Sequence, residues 1–295
     1  MQALFIGHTY IDVTLLCDSI PTGDNKTVAQ DYAVSFGGNA VTAAFACAKL
    51  GHIPDLIANV ADDWLGRMFL DMARAYQIRV HPRHVKRSSL SFVLPNNTKR
   101  AIIRARDDKF FHPFPNLDLD GCRVLHLDGH QGDAALHYAK ICQQNGILTS
   151  LDGGGLRGNL DALLDLIDVA IVAERLCEQM KLSPQQMLEY LNGKGCKIGG
   201  VTQGERGLYW YDERGEVSTL PALPVPKEKV IDTSGAGDIF HGAYVASYLA
   251  APEKGFATHF RFARAAAAYK ITRLGNEAGL PTQADVAAIM QEYAA

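Results

Sequence analysis

Short unbroken apolar runs alternate with longer amphipathic or alanine-rich stretches along most of the chain. The runs at 4–7, 55–60, 124–127, 147–151, 169–172 and 198–202 read as buried strands. The stretches at 39–51, 63–76, 133–145, 174–180, 236–251, 256–272 and 283–293 read as helices, with one more after Ser183-Pro184. There Ser183 serves as a cap with proline at the first helical position, and Asn39 stands as a cap ahead of the alanine-rich run that closes at Gly51. Strands alternating with helices of this length predict an α/β fold, a mostly parallel sheet wrapped on both faces. In such sheets a ligand lies past the carboxyl ends of the strands. The loops carrying Gly7, Gly129, Gly153 and Gly204 all follow strand ends, so they are expected to converge on one cleft.

Two regions break the alternation. Segments 13–16 and 27–34 alternate loosely around a cluster of Pro21, Gly23, Asp24 and Asn25, and 88–94 with 100–106 reads as a hairpin. They predict a small secondary sheet beside the main one. A further hairpin is expected from 208–211 and 216–220.

The most informative stretch is 232–243, Asp-Thr-Ser-Gly-Ala-Gly-Asp-Ile-Phe-His-Gly-Ala. Val230 and Ile231 read as a strand end leading into it, and an apolar helix follows. Gly235, Ala236 and Gly237 have almost no side chains, so their amides can approach an anion where the helix dipole is positive. Asp238 sits in the first turn beside that pocket. A carboxylate next to an anion hole suits a general base that takes a proton from a hydroxyl attacking a phosphoryl group.

Residues 232–238 resemble the C-terminal signature of the ribokinase-like sugar kinases, the PfkB family. The resemblance implies a three-layer sandwich, in which the small sheet is a lid over the sugar. It extends from Gly7 to Pro281, so 1–295 is read as a single kinase domain with lid strands from about 13–35 and 88–106. It implies that Asp238 is the catalytic base and that the amides of Gly235, Ala236, Gly237 and Asp238 form the anion hole. Gly37-Gly38-Asn39 with Asp12 is similar to the family's N-terminal signature, whose members contact sugar hydroxyls. Thr202, Gly204 and Gly207 resemble the element that lines the nucleotide, which Gly235 and Gly237 would also touch. The tail 272–281, with Gly275 and Gly279, resembles the segment bordering the adenine pocket and a monovalent-cation site. The implied small molecules are ATP, Mg2+ and a monovalent cation such as K+.

One element departs from the family. Relatives carry Asn-x-x-Glu after the strand at 169–172 to organise magnesium. Here the sequence is Ala173-Glu-Arg-Leu176, leaving Glu174 as the candidate stand-in. Arg100, Arg104 and Arg106 share one parity of the lid hairpin and Lys26 lies in the first lid segment. Lys26 and Arg104 are therefore candidates to meet an anionic group on the substrate. His130 and Arg157 follow strand-end loops and are also in reach of substrate or phosphates. Asp152 ends a strand with nothing local to mark it as catalytic. Phe240-His241-Gly242 and the Gly-Gly-Asn-Ala start are most similar to ketohexokinase and sulfofructose kinase, which points to a ketose or an acidic ketose derivative. A ribokinase or nucleoside kinase would share every motif. A sugar- or nucleotide-binding sensor that has lost catalysis is the alternative of another class.

Composition narrows the partners. The 295-residue chain carries a net charge of −3 with 21% charged residues, which gives no footprint for nucleic acid. No apolar run approaches the ~20 residues of a membrane span. Met1-Gln-Ala-Leu-Phe-Ile-Gly7 reads as a first strand rather than a signal peptide. The six cysteines are scattered with no C-x-x-C pair, as expected for free thiols in a reducing cytoplasm. The expected partner is a small sugar, with a homodimer through the lid as a further implication of the resemblance.

Overall fold

The computed structural model describes residues 1–17, 19–96 and 99–293, and the side chains at 96, 99 and 100 lie outside it. The strands are β1 (Ala3–Gly7), β2 (Tyr10–Leu16), β3 (Asp31–Gly37), β4 (Asp55–Ala61), β5 (Arg79–Val85), β6 (Leu90–Asn96), β7 (Lys99–Ala105), β8 (Val124–Leu127), β9 (Leu148–Gly153), β10 (Val169–Ala173), β11 (Ile198–Thr202), β12 (Leu208–Tyr211) and β13 (Val217–Leu220). The helices are α1 (Asn39–Lys49), α2 (Trp64–Ala75), α3 (Gly132–Gln144), α4 (Leu160–Leu164), α5 (Glu174–Met180), α6 (Pro184–Gly193), α7 (Ala236–Ala250), α8 (Phe256–Lys270) and α9 (Gln283–Glu292).

The main sheet has nine strands in the order β13-β12-β11-β10-β9-β8-β1-β4-β5. Pairing is parallel from β11 to β5, and β12 turns antiparallel onto β11 and β13. Strand β1 shows why the central runs are apolar throughout. Ala3 and Phe5 join a core with α1, α2, α7, α8 and α9, while Leu4 and Ile6 join a second core with α3, α4, α5 and α6. A strand buried on both faces has no solvent side on which to place polar residues. The result is helix, sheet, helix: a three-layer α/β sandwich.

The second sheet has four strands in the order β3-β2-β6-β7. Its register lines up Ser35, Asp12, Ser91 and Arg104 in one row, and Val34, Val13, Phe92 and Ile103 in the next. Because side chains alternate across a sheet, the first row faces inward and the second outward. Phe92 and Ile103 are accordingly 39% and 66% exposed.

Several expectations are corrected. Strand β5 was not legible, nor was the short α4. The first lid hairpin closes later than expected, with β3 beginning at Asp31 and reaching Gly37. Asn39 is the first residue of α1 and Gly38 is its cap. Val230 and Ile231 belong to an extended loop after a short 3-10 turn at Lys227–Lys229, not to a strand. The turn at 95–98 falls partly outside the described residues. All six cysteines are free, and among the described residues no helix is long and apolar enough to cross a membrane.

Candidate active site

The chain crosses from β3 into α1 through Gly37 and Gly38. Gly38 has φ of 104°, and a Cβ there would sit 1.9 Å from the His8 carbonyl oxygen. A side chain is excluded by both backbone geometry and space. A Cβ on Gly37 would meet the Asp12 carboxyl at 2.3 Å. The missing side chains let the backbone close on Asp12. Its Oδ1 is buried, and the Ser91 hydroxyl directly across the register helps to hold the carboxyl. Burial raises the Asp12 carboxyl from 3.8 to about 6 against the pull of the Arg104 guanidinium, and the Asp238 charge adds to the rise. Asp12 and Asp238 therefore share one cleft, although 226 positions separate them in the sequence.

Asn39 reaches the floor of that cleft, where Nδ2 donates to Asp152 Oδ2 at 3.0 Å. Burial pushes the Asp152 carboxyl up to about 7. Asp152 also lies 3.8 Å from His241 Nε2, and His241, pushed down to about 3 by burial, is a neutral dipole there. Asp128, at the end of β8, accepts from the amides of His8, Ala40 and His130 at 3.2, 3.4 and 3.0 Å. It fastens the ends of β1 and β8 to the start of α1.

The anion cradle begins at Asp232. The Asp232 Oδ1 accepts from the Ser234 amide at 2.8 Å and Oδ2 from the Gly275 amide at 3.0 Å. Gly235 caps α7 with φ of 75°, and a Cβ there would lie 2.3 Å from Asn276 Oδ1. Gly237 is exposed and a Cβ on it would meet nothing within 4 Å, so the helix start is open to the cleft. Asp238, half-buried, follows in the first turn. Asn276 joins the two halves: Nδ2 donates to Asp12 Oδ2 at 3.1 Å and to the Phe36 carbonyl at 2.9 Å.

A basic rim lies beside Asp12, with Arg106 itself ion-paired to Asp108. The Arg104 guanidinium stands 5.0 Å from the Tyr10 ring centroid, on the lid row that carries Asp12. Arg157 Nη2 meets His130 Nε2 at 2.7 Å, and Arg106 lies 3.5 Å from Nδ1. Burial and the guanidinium groups of Arg157, Arg106 and Arg104 push His130 down to about 3, so it is neutral. Since Nε2 accepts from Arg157, the ring proton resides on Nδ1. Lys26 is not brought into this cluster: it lies exposed in the loop between β2 and β3, without a hydrogen bond or ion pair among the described residues. The Arg100 side chain lies outside the described residues.

At the end of β11, Thr202 Oγ1 donates to the Val172 carbonyl at 3.4 Å. Gly204 opens a 3-10 turn with clear space around its Cα. Gly207 differs: a Cβ there would lie 2.1 Å from the Leu220 carbonyl, so it serves the packing of β12 on the segment after β13. Gly275 packs under the lid, where a Cβ would meet Ala33 Cβ at 2.5 Å. Glu174 Oε1 is engaged by Arg206 in an ion pair and accepts from Gln203. Among the described residues no group of three or more acidic, His or Cys side chains is set to hold a metal. A magnesium ion bound chiefly by nucleotide phosphates and water fits that donor set. Phe240-His241-Gly242 lies inside α7. A Cβ on Gly242 would strike the Ala43 carbonyl at 2.2 Å, so this glycine allows α7 to close on α1.

Sequence reasoning missed Asn276 and Asp128, and gave Asp152 no role. Asp128 and Asp152 carried a usable signal, since both are acids at strand ends facing the cleft.

The fold and the cleft define a phosphotransferase that places an acid beside an amide cradle. Residues 2–283 match the pfkB family of carbohydrate kinases, and the chain belongs to that family. It is 25% identical over 296 residues to a ribokinase of Lactococcus lactis, covering 97% of this chain and 96% of the relative. It is 41% identical over 261 residues to a cytidine kinase of Thermococcus kodakarensis, covering 84% and 88%. The solved Arabidopsis thaliana ribokinase complexed with ribose and ATP superposes with a TM-score of 0.80 over 98% of each chain at 20% identity.

Proposed function

We propose that this carbohydrate kinase transfers the γ-phosphoryl group of ATP to a hydroxyl of a small sugar bearing an anionic group, a ketose derivative in the first instance. Asp12, Gly37, Gly38 and Asn39 hold the sugar hydroxyls. Asp238 takes the proton from the acceptor hydroxyl as its oxygen bonds to the γ-phosphorus. The bond to the bridging oxygen breaks and ADP leaves. The amides of 235–238 face the charge on the group in flight. Magnesium, when bound on the nucleotide phosphates, screens their charge. Thr202 and Gly204 lie along the nucleotide.

The observation that carries the substrate class is the convergence of Arg104, Arg106 and Arg157 around Tyr10 and His130 beside Asp12. A neutral sugar needs no such rim, whereas a phosphate, sulfonate or carboxylate is matched by guanidinium forks. The similarity to a ribokinase and a cytidine kinase supports a second reading, a ribose or nucleoside acceptor. ADP release with fructose, sulfofructose, fructose phosphates, ribose and nucleosides separates them. Turnover confined to ribose or a nucleoside would remove the anionic-ketose reading. The apolar outer row of the lid further supports a dimer of two copies through this face; sedimentation of Ile103→Asp as a monomer beside a dimeric parent is the expected result, and a monomeric parent would end the idea.

A further inference from the structure

Lys270, the last residue of α8, is fully buried, with 0% of its surface exposed. Its ammonium donates to the Asp232 carbonyl at 3.0 Å, to Asp232 Oδ2 at 3.1 Å and to the Arg273 carbonyl at 3.1 Å. All three N–H bonds thus have oxygen acceptors. Its Cε lies 3.8 Å from the position a Cβ on Gly235 would take, so the side chain runs directly beneath the anion cradle. Gly279 makes room for the stem, since a Cβ there would lie 2.0 Å from Lys270 Cδ.

Burying a charge pair carries a large desolvation penalty and stabilises little in itself, so its retention calls for another role. Here the same carboxylate that meets the ammonium also receives the Ser234 and Gly275 amides. One cation therefore gathers the 232–235 loop, which forms the cradle, and the 273–276 loop, which carries Asn276. Two main-chain carbonyls and one carboxylate form the oxygen cage that an ammonium or potassium ion would accept. That cage is filled by a side chain of this chain itself.

We propose that Lys270 is a tethered monovalent cation. Its ammonium takes the place of a free ion between the two loops, sets the cradle for phosphoryl transfer, and makes the enzyme independent of potassium. The residues of the 272–281 segment do not fit a free monovalent cation at this cage. Lys270 acts as a positioning residue, through Asp232 and the loop backbone. The inference rests on the kinase reading for its effect on rate but not for the occupancy of the cage.

The test compares wild type with Lys270→Ala and Lys270→Met in potassium, ammonium and tetramethylammonium chloride at equal ionic strength. Melting temperature and turnover are both read. Wild type is expected to melt and turn over alike in all three salts. Lys270→Ala is expected to melt lower and lose roughly tenfold or more in kcat in tetramethylammonium, about the loss of one charge-assisted hydrogen bond. Potassium or ammonium should restore part of both, because the truncation opens the cage. Lys270→Met keeps the stem, drops the charge and fills the cage, so it should lose kcat without cation rescue. Potassium-specific stabilisation or activation of wild type would overturn the proposal. So would a Lys270→Met enzyme with unchanged kcat. If Lys270→Ala does not fold, the wild-type series and Lys270→Met still decide. If no acceptor is found, the substrate reading fails, while the melting curves still report whether a free cation enters the cage.

Discussion

Asn276 donates a hydrogen bond to Asp12 across 264 positions of sequence, at 3.1 Å, and the same Nδ2 donates to the Phe36 carbonyl. Its Oδ1 stands against Gly235. One side chain thereby joins the lid strand carrying Asp12 to the loop that opens α7. Asn276→Ala strips Asp12 of a donor and leaves the Phe36 carbonyl without this partner. A loss of about 1–3 kcal/mol in stability is expected, the usual cost of orphaning a buried polar group. The Michaelis constant for the sugar should rise more than that for ATP. Equal rises, or neither, would show that Asn276 does not couple lid to cradle.

Asp238→Asn removes the proton acceptor while keeping the shape of the helix start. Turnover is expected to fall by about 10²–10⁴-fold, the range of a positioned general base. Calorimetry should show ATP binding little changed, because the amides of 235–238 remain. Near-normal turnover would take the base assignment away from Asp238.

The titration of Asp12 gives opposite trends in stability and binding. Burial raises its folded value from 3.8 to about 6, so between those values the folded state holds a proton that the unfolded state has released. Stability from this group is therefore present on the acid side and declines as pH rises through about 6. Sugar affinity is expected to run the other way, since the charged carboxylate accepts from hydroxyls more strongly than the neutral acid. kcat/KM for the sugar is expected to rise through the same window. Asp12→Asn should flatten both curves there. A stability slope near pH 6 that survives in Asp12→Asn would assign the titration elsewhere, with Asp152 at about 7 as the next group to test.

The parallel sheet, both lid hairpins and the loop-to-helix turn at Gly235 were legible because each leaves a local mark: apolar runs, parity, or clustered glycines. Strand β5 was not, because Arg79-Val-His-Pro-Arg-His-Val85 carries proline and charge in mid-strand. It is the last strand of the sheet on that side, bonded to β4, and an edge strand tolerates both. Lys270 carries no local mark, because a basic residue at a helix C-terminus is favoured anyway. Only its burial reveals the cage, and burial of a charge depends on oxygens from Asp232 and Arg273 that no local pattern brings together. Asn276 was hidden for the same reason. Gly207 and Gly242 stand inside family-like strings, and each is in addition required by a neighbouring backbone.

Arg104 decides between the two substrate classes. It lies on β7 opposite Ser91, in the row that carries Asp12, and its charge is felt by the Asp12, Tyr10 and His130 side chains. Its position over Tyr10 holds it at the cleft while leaving the guanidinium edge for a ligand. Arg104→Ala should weaken an anionic sugar by about 1.5–3 kcal/mol, the worth of a hydrogen bond to a charged group. That corresponds to roughly a ten- to hundredfold rise in its Michaelis constant. A neutral sugar of the same ring should be affected far less, because it offers no charge to lose. Parallel kinetics on the phosphorylated or sulfonated acceptor and its neutral counterpart give this contrast directly. Equal effects on both would mean that Arg104 shapes the lid through Tyr10 rather than reading an anion.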